Sequence, residues 1–138
     1  MVITVTAFIF HKDKVLLIFH KKLNKWMHVG GHLKNNEFFD EGLKREMKEE
    51  VNLDVSILSY DKKLDKNATF LSKPFFIHST VNKGEKDIAI DYICLAKEPI
   101  NIKIKKDEIA DFKWFSMEEI NNLDTFPLLK ELAIKSFH

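Results

Sequence analysis

The sequence predicts an α/β fold in which residues 1–138 form one domain. Two observations lead to this prediction. Runs of β-branched and aromatic residues recur along the chain, and such runs are typical of strands. Between them, residues 38–51 repeat apolar side chains every four positions, at the spacing of one helical face. A chain of this length is long enough to bury about two thirds of its unfolded surface.

The first half of the chain predicts a hairpin followed by a long helix. Strands at 2–10 and 15–20 flank the polar turn 11–14, and the basic loop 21–25 leads to a short strand at 26–29. That strand ends at Gly30 and Gly31, and a glycine pair there indicates close approach of a ligand or a backbone that side chains would forbid. The helix at 38–51 follows, with Asn35 or Asn36 as its cap and Asn52 suited to the left-handed closing position.

The second half predicts further strands and two helices. Strands are expected at 53–60, 74–81 and 87–97, with a polar loop at 61–67 and a glycine-containing turn at 82–86. Residues 99–106 alternate isoleucine with polar residues, which suits an edge strand or a loop. A strand at 109–115 precedes a short helix to Leu123, for which Ser116 and Glu119 form a capping box. An amphipathic helix is expected at 127–137.

Composition excludes several classes of protein. The net charge of +1 and the pI of about 7.8 give no global argument for nucleic-acid or membrane binding. One cysteine, Cys94, rules out an internal disulfide framework and fits a reducing cytosol. Residues 1–7 lack the basic region of a signal peptide, and no apolar run approaches the length that spans a bilayer. We therefore expect a cytoplasmic protein.

The helix at 38–51 carries a cluster of acidic residues. Glu46, Glu49 and Glu50 stand at i, i+3 and i+4, so they share one face of the helix. Three carboxylates held that close repel one another unless a cation lies among them. They belong to a longer frame that starts at Gly31 and reads G-x5-E-x7-R-E-u-x-E-E-x-x-u, with apolar residues at u. The pattern therefore predicts a divalent-metal site.

This frame, at residues 31–53, resembles the Nudix box of the MutT-like Nudix hydrolases. Weaker resemblance extends to residues 26–31 before the box and to 108–120 near the C-terminus. Two positions depart from the family pattern: Asn52 replaces the final glycine of the box, and Val29 replaces a proline. The resemblance implies a Nudix-type α/β/α sandwich with a mixed central sheet. It also implies hydrolysis of a nucleoside diphosphate linked to another moiety, X, with Mg²⁺ or Mn²⁺.

The chemistry of such a reaction assigns roles to the frame. Mg²⁺ prefers hard oxygen ligands, so Glu46, Glu49 and Glu50 are the candidate ligands, and one of them could act as general base. The carbonyl of Gly30 or Gly31 could add another oxygen. Arg45 cannot lose its charge, and we expect it to orient the glutamates together with Glu37.

Residues outside the frame could complete the site. Many such enzymes take an additional carboxylate from elsewhere, for which Glu108 and Asp107 are the first candidates, followed by Glu85, Asp87 and Asp91. The basic residues and the tryptophan near the glycine pair could bind phosphate or stack on a base: Lys21, Lys22, Lys25 and Trp26. His28 and His32 could contact phosphate, and Phe76 with His78 could form a base platform, although packing is the simpler role for that pair.

Several alternatives stay open at this point. A nucleotide-sugar or ADP-ribose type of substrate competes with a nucleoside triphosphate. The same fold could also serve as a nucleotide sensor without turnover, although a sensor has no need to keep all three glutamates. The absence of a dense basic stripe weakens a role in RNA binding. No sequence feature fixes the oligomeric state, and a homodimer is compatible with the many phenylalanines.

Overall fold

The computed structural model describes residues 1–58, 68 and 71–138. Within that part of the chain, eight strands and three helices are formed. The strands are β1 (Val2–His11), β2 (Lys14–His20), β3 (Lys25–Met27), β4 (Val29–His32), β5 (Val55–Ile57), β6 (Phe76–Asn82), β7 (Glu85–Ala96) and β8 (Ile109–Phe115). The helices are α1 (Phe39–Val51), α2 (Met117–Asn121) and α3 (Pro127–Ser136).

All eight strands join one mixed sheet. Strand β1 lies at its centre and runs parallel to β7 over nine paired residues, from Val2 opposite Asp87 to Phe10 opposite Leu95. The other pairings are antiparallel. On its second side β1 pairs with β4 through residues 4–7 and with β2 through residues 9–11. The sheet therefore forks beside the middle of β1, and this fork positions the site described below.

Hydrophobic side chains cover both faces of the sheet. On one face, Val5, Ala7 and Ile9 of β1 pack with Leu43 and Met47 of α1. On the other face, the cluster contains residues of β1, β2, β8, α2 and α3: Phe8, Val15, Leu17, Phe115, Ile120, Leu129, Leu132 and Ala133. The side chains of a strand alternate between its faces, so β1 and β2 serve both clusters at once. The predicted α/β/α sandwich with a mixed sheet is confirmed.

Most predicted elements are present, but the chain around His28 differs. We expected one strand at 26–29, whereas two form, because β3 pairs with β2 and β4 pairs with β1. The chain thus changes partners at His28, which carries that residue toward the fork. The strand expected at 53–60 is limited to β5 within the described residues, and the predicted loop at 61–67 lies outside them.

Residues 99–106 form no strand in the structure. Their isoleucines, Ile100, Ile102 and Ile104, pack against the core on the α1 side. Their backbone instead bonds the end of α1, with Lys103 N donating to Val51 O at 3.1 Å and Lys105 N donating to Glu50 O at 3.0 Å. The alternating pattern therefore marks an extended loop that closes over the C-terminal end of α1.

The ends of α1 show one wrong prediction and one that holds. Neither Asn35 nor Asn36 caps the helix, because the N-cap is Phe38, whose backbone N–H donates to Glu41 Oε1 at 3.0 Å. At the other end Asn52 is left-handed, with φ 60° and ψ 36°.

The capping box of Ser116 and Glu119 on α2 is present as predicted. Among the described residues, no helix is long and apolar enough to cross a membrane.

Candidate active site

A cavity of about 960 Å³ lies at the fork of the sheet. Its walls come from strands β1, β2, β3, β4, β6 and β7, from helix α1, from His28 and from the loops that precede β3 and β8. The carboxylates among its lining residues are Glu46, Glu49, Glu50, Asp107 and Glu108. Lys21, Lys22 and Lys105 lie on the same walls, so the cavity combines an acidic cluster with nearby cations.

Arg45 organises the acidic side of this cavity. Its Nε donates to Glu37 Oε2 at 2.6 Å and its Nη2 to Glu37 Oε1 at 3.0 Å, a bidentate pair. Its Nη1 donates to Glu46 Oε1 at 2.8 Å and to Glu49 Oε2 at 3.1 Å. The hydrogen bond from Arg45 lowers the pKa of Glu37 to about 2, with help from the backbone N–H of Lys34. These contacts are those expected of a residue that orients the glutamates.

The glycine pair brings the strand and the helix together. A Cβ built on Gly31 would stand 2.5 Å from Glu46 Oε2, so only a glycine leaves room for that carboxylate. A Cβ on Gly30 would collide with backbone, standing 2.6 Å from Thr6 Cα. Gly42 on α1 makes room for Leu33 and Glu37, because a Cβ there would collide with Leu33 Cδ1 and stand 3.0 Å from Glu37 Oε1.

Glu50 has an environment that disfavours its charge. Burial is the main reason that its pKa is raised to about 7, and repulsion and hydrogen bonding from Glu108 and repulsion from Glu46 add to the effect. Glu46 and Glu50 are 7% and 8% exposed, whereas the side chain of Glu49 is 44% exposed. Lys105 partly offsets the repulsion, with its Nζ 3.2 Å from Glu108 Oε1. The acidic cluster therefore carries more negative charge than its neighbours neutralise.

The carboxylate oxygens of the acidic cluster are of the kind that binds a divalent cation, but they do not surround a single metal position. Among the described residues, no three acidic, imidazole or thiol groups are arranged to hold a metal ion as they stand. Arg45 occupies one oxygen each of Glu46 and Glu49. The remaining donors are hard oxygens on crowded carboxylates, which is the chemistry that Mg²⁺ and Mn²⁺ prefer.

Several residues expected near the substrate do line the cavity. These are Lys21, Lys22, His28, Gly30, Gly31, His32, His78, Asp107 and Glu108. The main chain holds two of their loops together, since Lys21 N donates to Glu108 O at 2.9 Å and Lys21 Nζ bonds Lys106 O. That contact places Glu108 beside Glu50.

Two predicted substrate residues lie elsewhere. Trp26 packs edge-on against Phe19 and Phe115, with ring centroids 5.4 Å and 5.1 Å away, so it belongs to the core on the α3 side. Lys25 Nζ points to Asp124 Oδ1 at 3.3 Å on the surface. Neither side chain lines the cavity, because β3 pairs with β2, whereas the glycine pair lies on β4, which pairs with β1. Their contact with substrate stays a prediction.

Other expectations need revision as well. Asp91, a candidate carboxylate, is fully buried and bonded to His28, so it does not face the acidic cluster. Phe76, Glu85 and Asp87 do not line the cavity. Lys105 and His20 also line the cavity and were not predicted to do so, because only the fold brings residues this far apart in sequence to the same cavity.

Comparisons with known proteins agree with this architecture. A family model described as NUDIX domain matches residues 2–135. The crystal structure of a NUDIX-family hydrolase from Clostridium perfringens is 29% identical, with a TM-score of 0.82 over 98% of this chain and 95% of that one. No curated protein sequence is significantly similar to the chain.

More distant structures share the fold. A MutT protein from Methanosarcina mazei Go1 is 21% identical with a TM-score of 0.75, over 98% of this chain and 91% of that one. A C. elegans Ap4A hydrolase in a binary complex is 17% identical with a TM-score of 0.76, over 99% of this chain and 95% of that one. The family model spans nearly the whole chain, and the acidic frame stands at a cavity, so this protein belongs to the Nudix hydrolase family and is a pyrophosphohydrolase.

Proposed function

We propose that the protein uses Mg²⁺ or Mn²⁺ to hydrolyse a diphosphate bond in a nucleoside diphosphate linked to another moiety, X. One observation carries the proposal. The glutamates of the frame converge on a cavity of about 960 Å³. There Glu50 is buried beside Glu46 and Glu108, and the negative charge of this group exceeds the positive charge around it. Such crowding is stable in the working enzyme when a divalent cation and a phosphate chain complete the site.

The residues divide the work as follows. Glu46, Glu49 and Glu50, with the carbonyl of Gly30, would hold the cation. A cation bound there would neutralise the diphosphate and lower the pKa of the attacking water. Arg45 and Glu37 keep the carboxylates in place.

The other residues of the cavity bind phosphate and handle the proton. Lys21, Lys22 and Lys105 border the same cavity and supply positive charge for the phosphate oxygens. The general base is one of the frame glutamates or Glu108. Removing charge from each in turn separates these roles, because a base variant changes the pH dependence of kcat.

The central test replaces frame glutamates one at a time. Glu49→Gln and Glu50→Gln should each reduce Mg²⁺-dependent hydrolysis by at least about a hundredfold, since each removes a charge from the proposed ligand set. Glu131→Gln is the matched control, because Glu131 is an exposed α3 residue whose carboxylate lies 3.2 Å from Lys135 on the same helix. Undiminished turnover in both frame variants would contradict the assignment.

A panel of candidate nucleotides identifies the substrate. Nucleotide sugars, ADP-ribose, dinucleoside polyphosphates and nucleoside triphosphates are incubated with enzyme and Mg²⁺, and the products are separated by chromatography. We expect turnover of at least one compound and its loss when EDTA is added. A folded protein that turns over none of them would favour a nucleotide sensor on the same fold.

We also infer that residues 1–138 form one domain and that the enzyme acts in the cytoplasm on a small nucleotide. The buried Cys94 supports a reducing compartment, and burial raises the pKa of its thiol to about 12, which keeps it unreactive. A homodimer is compatible with this function, and sedimentation measurements would show it.

A further inference from the structure

A buried carboxylate lies behind the wall of the cavity, outside the acidic cluster. Asp91 of β7 is fully buried, and it stands beside Thr6 in the parallel register of β1 and β7. Its Oδ1 accepts hydrogen bonds from the Thr6 hydroxyl and from His28 Nε2, the latter at 3.0 Å. Its Oδ2 lies 2.7 Å from His78 Nδ1, without the geometry of a hydrogen bond. Thr6 and His28 line the cavity, so one carboxylate joins two residues of its wall.

Asp91 keeps its charge in spite of its burial. Burial alone would raise the pKa of this carboxyl, but the His28 hydrogen bond and charge, the Thr6 hydrogen bond and the nearby His78 together hold the pKa below its usual value. An ionised carboxylate only accepts hydrogen bonds, so His28 carries a proton on Nε2. Hydrogen bonds to a charged group are roughly twice as strong as those between neutral groups. Asp91 therefore constrains both the Thr6 and the His28 side chains.

His28 lies where the chain changes strand partners. The strand before it, β3, pairs with β2, and the strand after it, β4, pairs with β1. The Phe8 ring stacks on the His28 imidazole with centroids 4.8 Å apart, and 10% of the side chain is exposed. The imidazole is thus held on one face by an aromatic ring and at Nε2 by Asp91. Holding this residue fixes the start of the segment that contains the glycine pair.

Thr6 lies opposite Gly30 in the pairing of β1 with β4. A Cβ built on Gly30 would stand 2.6 Å from Thr6 Cγ2, so the methyl group of Thr6 lies against Gly30. The hydroxyl of the same side chain is bound by Asp91. Threonine is stiff about χ1, so binding its hydroxyl also sets where its methyl group lies. Asp91 therefore holds in place the side chain against which Gly30 packs.

The glycine pair in turn sets the space that is open to Glu46. A Cβ built on Gly31 would stand 2.5 Å from Glu46 Oε2, so this carboxylate lies against the backbone of β4. The carbonyl of Gly30 is a proposed ligand of the cation. A shift of residues 28–31 would therefore move the Gly30 carbonyl and the backbone beside Glu46 together.

We propose that Asp91 is a positioning residue, which fixes the glycine pair beside Glu46 by holding Thr6 and His28. The inference deepens the proposed function and rests on it for its consequence, because the Gly30 carbonyl and the frame glutamates are there to share a cation. Asp91 itself is too deeply buried to touch cation or substrate. Its removal should weaken cation binding by about tenfold, as changes to residues that orient metal ligands do.

The first test measures cation binding without nucleotide. Electron paramagnetic resonance follows free Mn²⁺ during titration of the full chain, so the readout needs no turnover. Asp91→Ala should weaken Mn²⁺ binding about tenfold, whereas Asp91→Asn should stay within about threefold of the wild type, because its amide oxygen still accepts both hydrogen bonds. Both variants remove the same charge, so the difference between them reports the hydrogen bonds. Unchanged Mn²⁺ affinity in folded Asp91→Ala protein would overturn the positioning role.

A second pair of variants keeps the test open if Asp91→Ala does not fold. His28→Gln retains a donor for Asp91, whereas His28→Leu retains apolar bulk against Phe8 and loses the donor. The glutamine variant should bind Mn²⁺ within about threefold of the wild type, and the leucine variant about tenfold more weakly. A packing role for His28 would reverse that order and overturn the proposal. His11→Gln is the matched control, because His11 lies against Trp114 and does not line the cavity.

The glycine amides report the position of the pair directly. The chain has four glycines, so labelling with [15N]glycine gives four backbone amide signals in a nuclear magnetic resonance spectrum. Asp91→Ala should shift the signals of Gly30 and Gly31, and Asp91→Asn should leave them close to their wild-type positions. Gly84, in the turn between β6 and β7, is the internal reference. Unmoved Gly30 and Gly31 signals in the alanine variant would overturn the role of Asp91.

These readouts separate the inference from the proposed function. If the wild type binds Mn²⁺ and hydrolyses a diphosphate, unchanged affinity in folded Asp91→Ala and His28→Leu proteins would defeat the positioning role and leave the proposed function standing. If the wild type neither binds Mn²⁺ nor turns over any diphosphate, the proposed function fails. Shifted glycine signals in Asp91→Ala would then still show that Asp91 fixes the glycine pair.

Discussion

At the scale of single residues, the site depends on one guanidinium. Arg45 is the only arginine in the sequence, which otherwise uses lysine for every fixed positive charge. It stands where a planar fork is required, because it donates to Glu37, Glu46, Glu49 and His32 O at the same time. A lysine offers three donors from one point and cannot reproduce this pattern.

Replacing Arg45 by lysine should therefore impair the enzyme more than the fold. We expect Arg45→Lys to lower kcat/KM by about 10- to 100-fold, in line with changes to residues that hold metal ligands. Steady-state kinetics and thermal unfolding of the same samples measure the two effects. Lys48→Arg on the same helix is the control, since Lys48 lies on the surface 3.5 Å from Asp54. A variant with unchanged kcat/KM would show that Arg45 does not position the glutamates.

Replacement by alanine should have a different outcome at each glycine of the pair. In Gly30→Ala the new methyl meets backbone atoms of β1, which cannot move aside, so we expect a loss of about 2 kcal/mol or more in the free energy of unfolding. In Gly31→Ala it meets the end of the Glu46 side chain, which can move away. That variant should fold and lose most of its activity. Urea unfolding and an activity assay distinguish them, and equal effects on both measurements would contradict the argument.

At the scale of elements, the short helix α2 depends on its capping box. Ser116 Oγ accepts from Glu119 N at 3.2 Å, Ser116 N donates to Glu119 Oε1 at 3.0 Å, and Lys113 Nζ lies 2.7 Å from Glu119 Oε2. The Lys113 and Ser116 hydrogen bonds lower the pKa of Glu119 to about 2. Because the folded pKa lies below the unfolded value, this carboxylate stabilises the protein above pH 4.5 and loses its contribution as the pH falls to 2.

The pH dependence of Glu119→Gln follows from that sign. The variant should be less stable than the wild type at pH 7, and the difference should shrink steadily between pH 4.5 and pH 2. Urea unfolding at a series of pH values measures it. Glu118→Gln provides the comparison, because Glu118 lies in the same helical turn. A difference that stayed constant with pH would mean that the charge of Glu119 does not matter.

Local patterns predicted most elements because the cause of each element is local. The apolar repeat of α1, the Ser116 capping box and the hairpin turn, where Lys83 and Gly84 both have positive φ, depend on neighbouring residues. Asn52 likewise adopts the left-handed conformation and adds a bond from Nδ2 to Asn101 O at 2.9 Å. Its conformation was predictable from residue type, whereas that bond depends on a loop that is distant in the sequence.

The site was predictable only in part, because only some of its contacts join residues that are close in the sequence. The glutamates share a helical face, so their grouping and the bridging role of Arg45 follow from spacing along α1. Lys25 and Trp26 lie close to the glycine pair in sequence, but a change of strand partner at His28 separates them from it. The neighbours of Asp91 are Thr6 of β1, His28 between β3 and β4, and His78 of β6, and no local pattern indicates that they meet.

At the scale of the whole molecule, stability and ligand binding place opposing requirements on one cavity. The two hydrophobic clusters hold α1 and α3 on opposite faces of the sheet, and the fork between β2 and β4 leaves space that neither cluster fills. Polar and charged groups line that space, including Glu46 and Glu50, which are buried without enough positive charge. Sites of this kind reduce stability so that a ligand can bind, which is a common compromise between stability and activity.

That compromise predicts an inactive variant that is more stable than the wild type. In EDTA at pH 8, Glu50→Gln should raise the free energy of unfolding by about 1 to 2 kcal/mol, because it removes a buried charge that Glu46 and Glu108 repel. Saturating Mg²⁺ should raise the Tm of the wild type and raise that of the variant much less, since the variant retains fewer charged ligands. Glu131→Gln, on the exposed face of α3, should change the free energy of unfolding by no more than about 0.5 kcal/mol and leave the rise in Tm with Mg²⁺ as in the wild type. Differential scanning calorimetry of the three proteins with and without Mg²⁺ measures these quantities. If Glu50→Gln were less stable than the wild type in EDTA, Glu50 would be a satisfied structural residue, and the cavity would not be held ready for a cation.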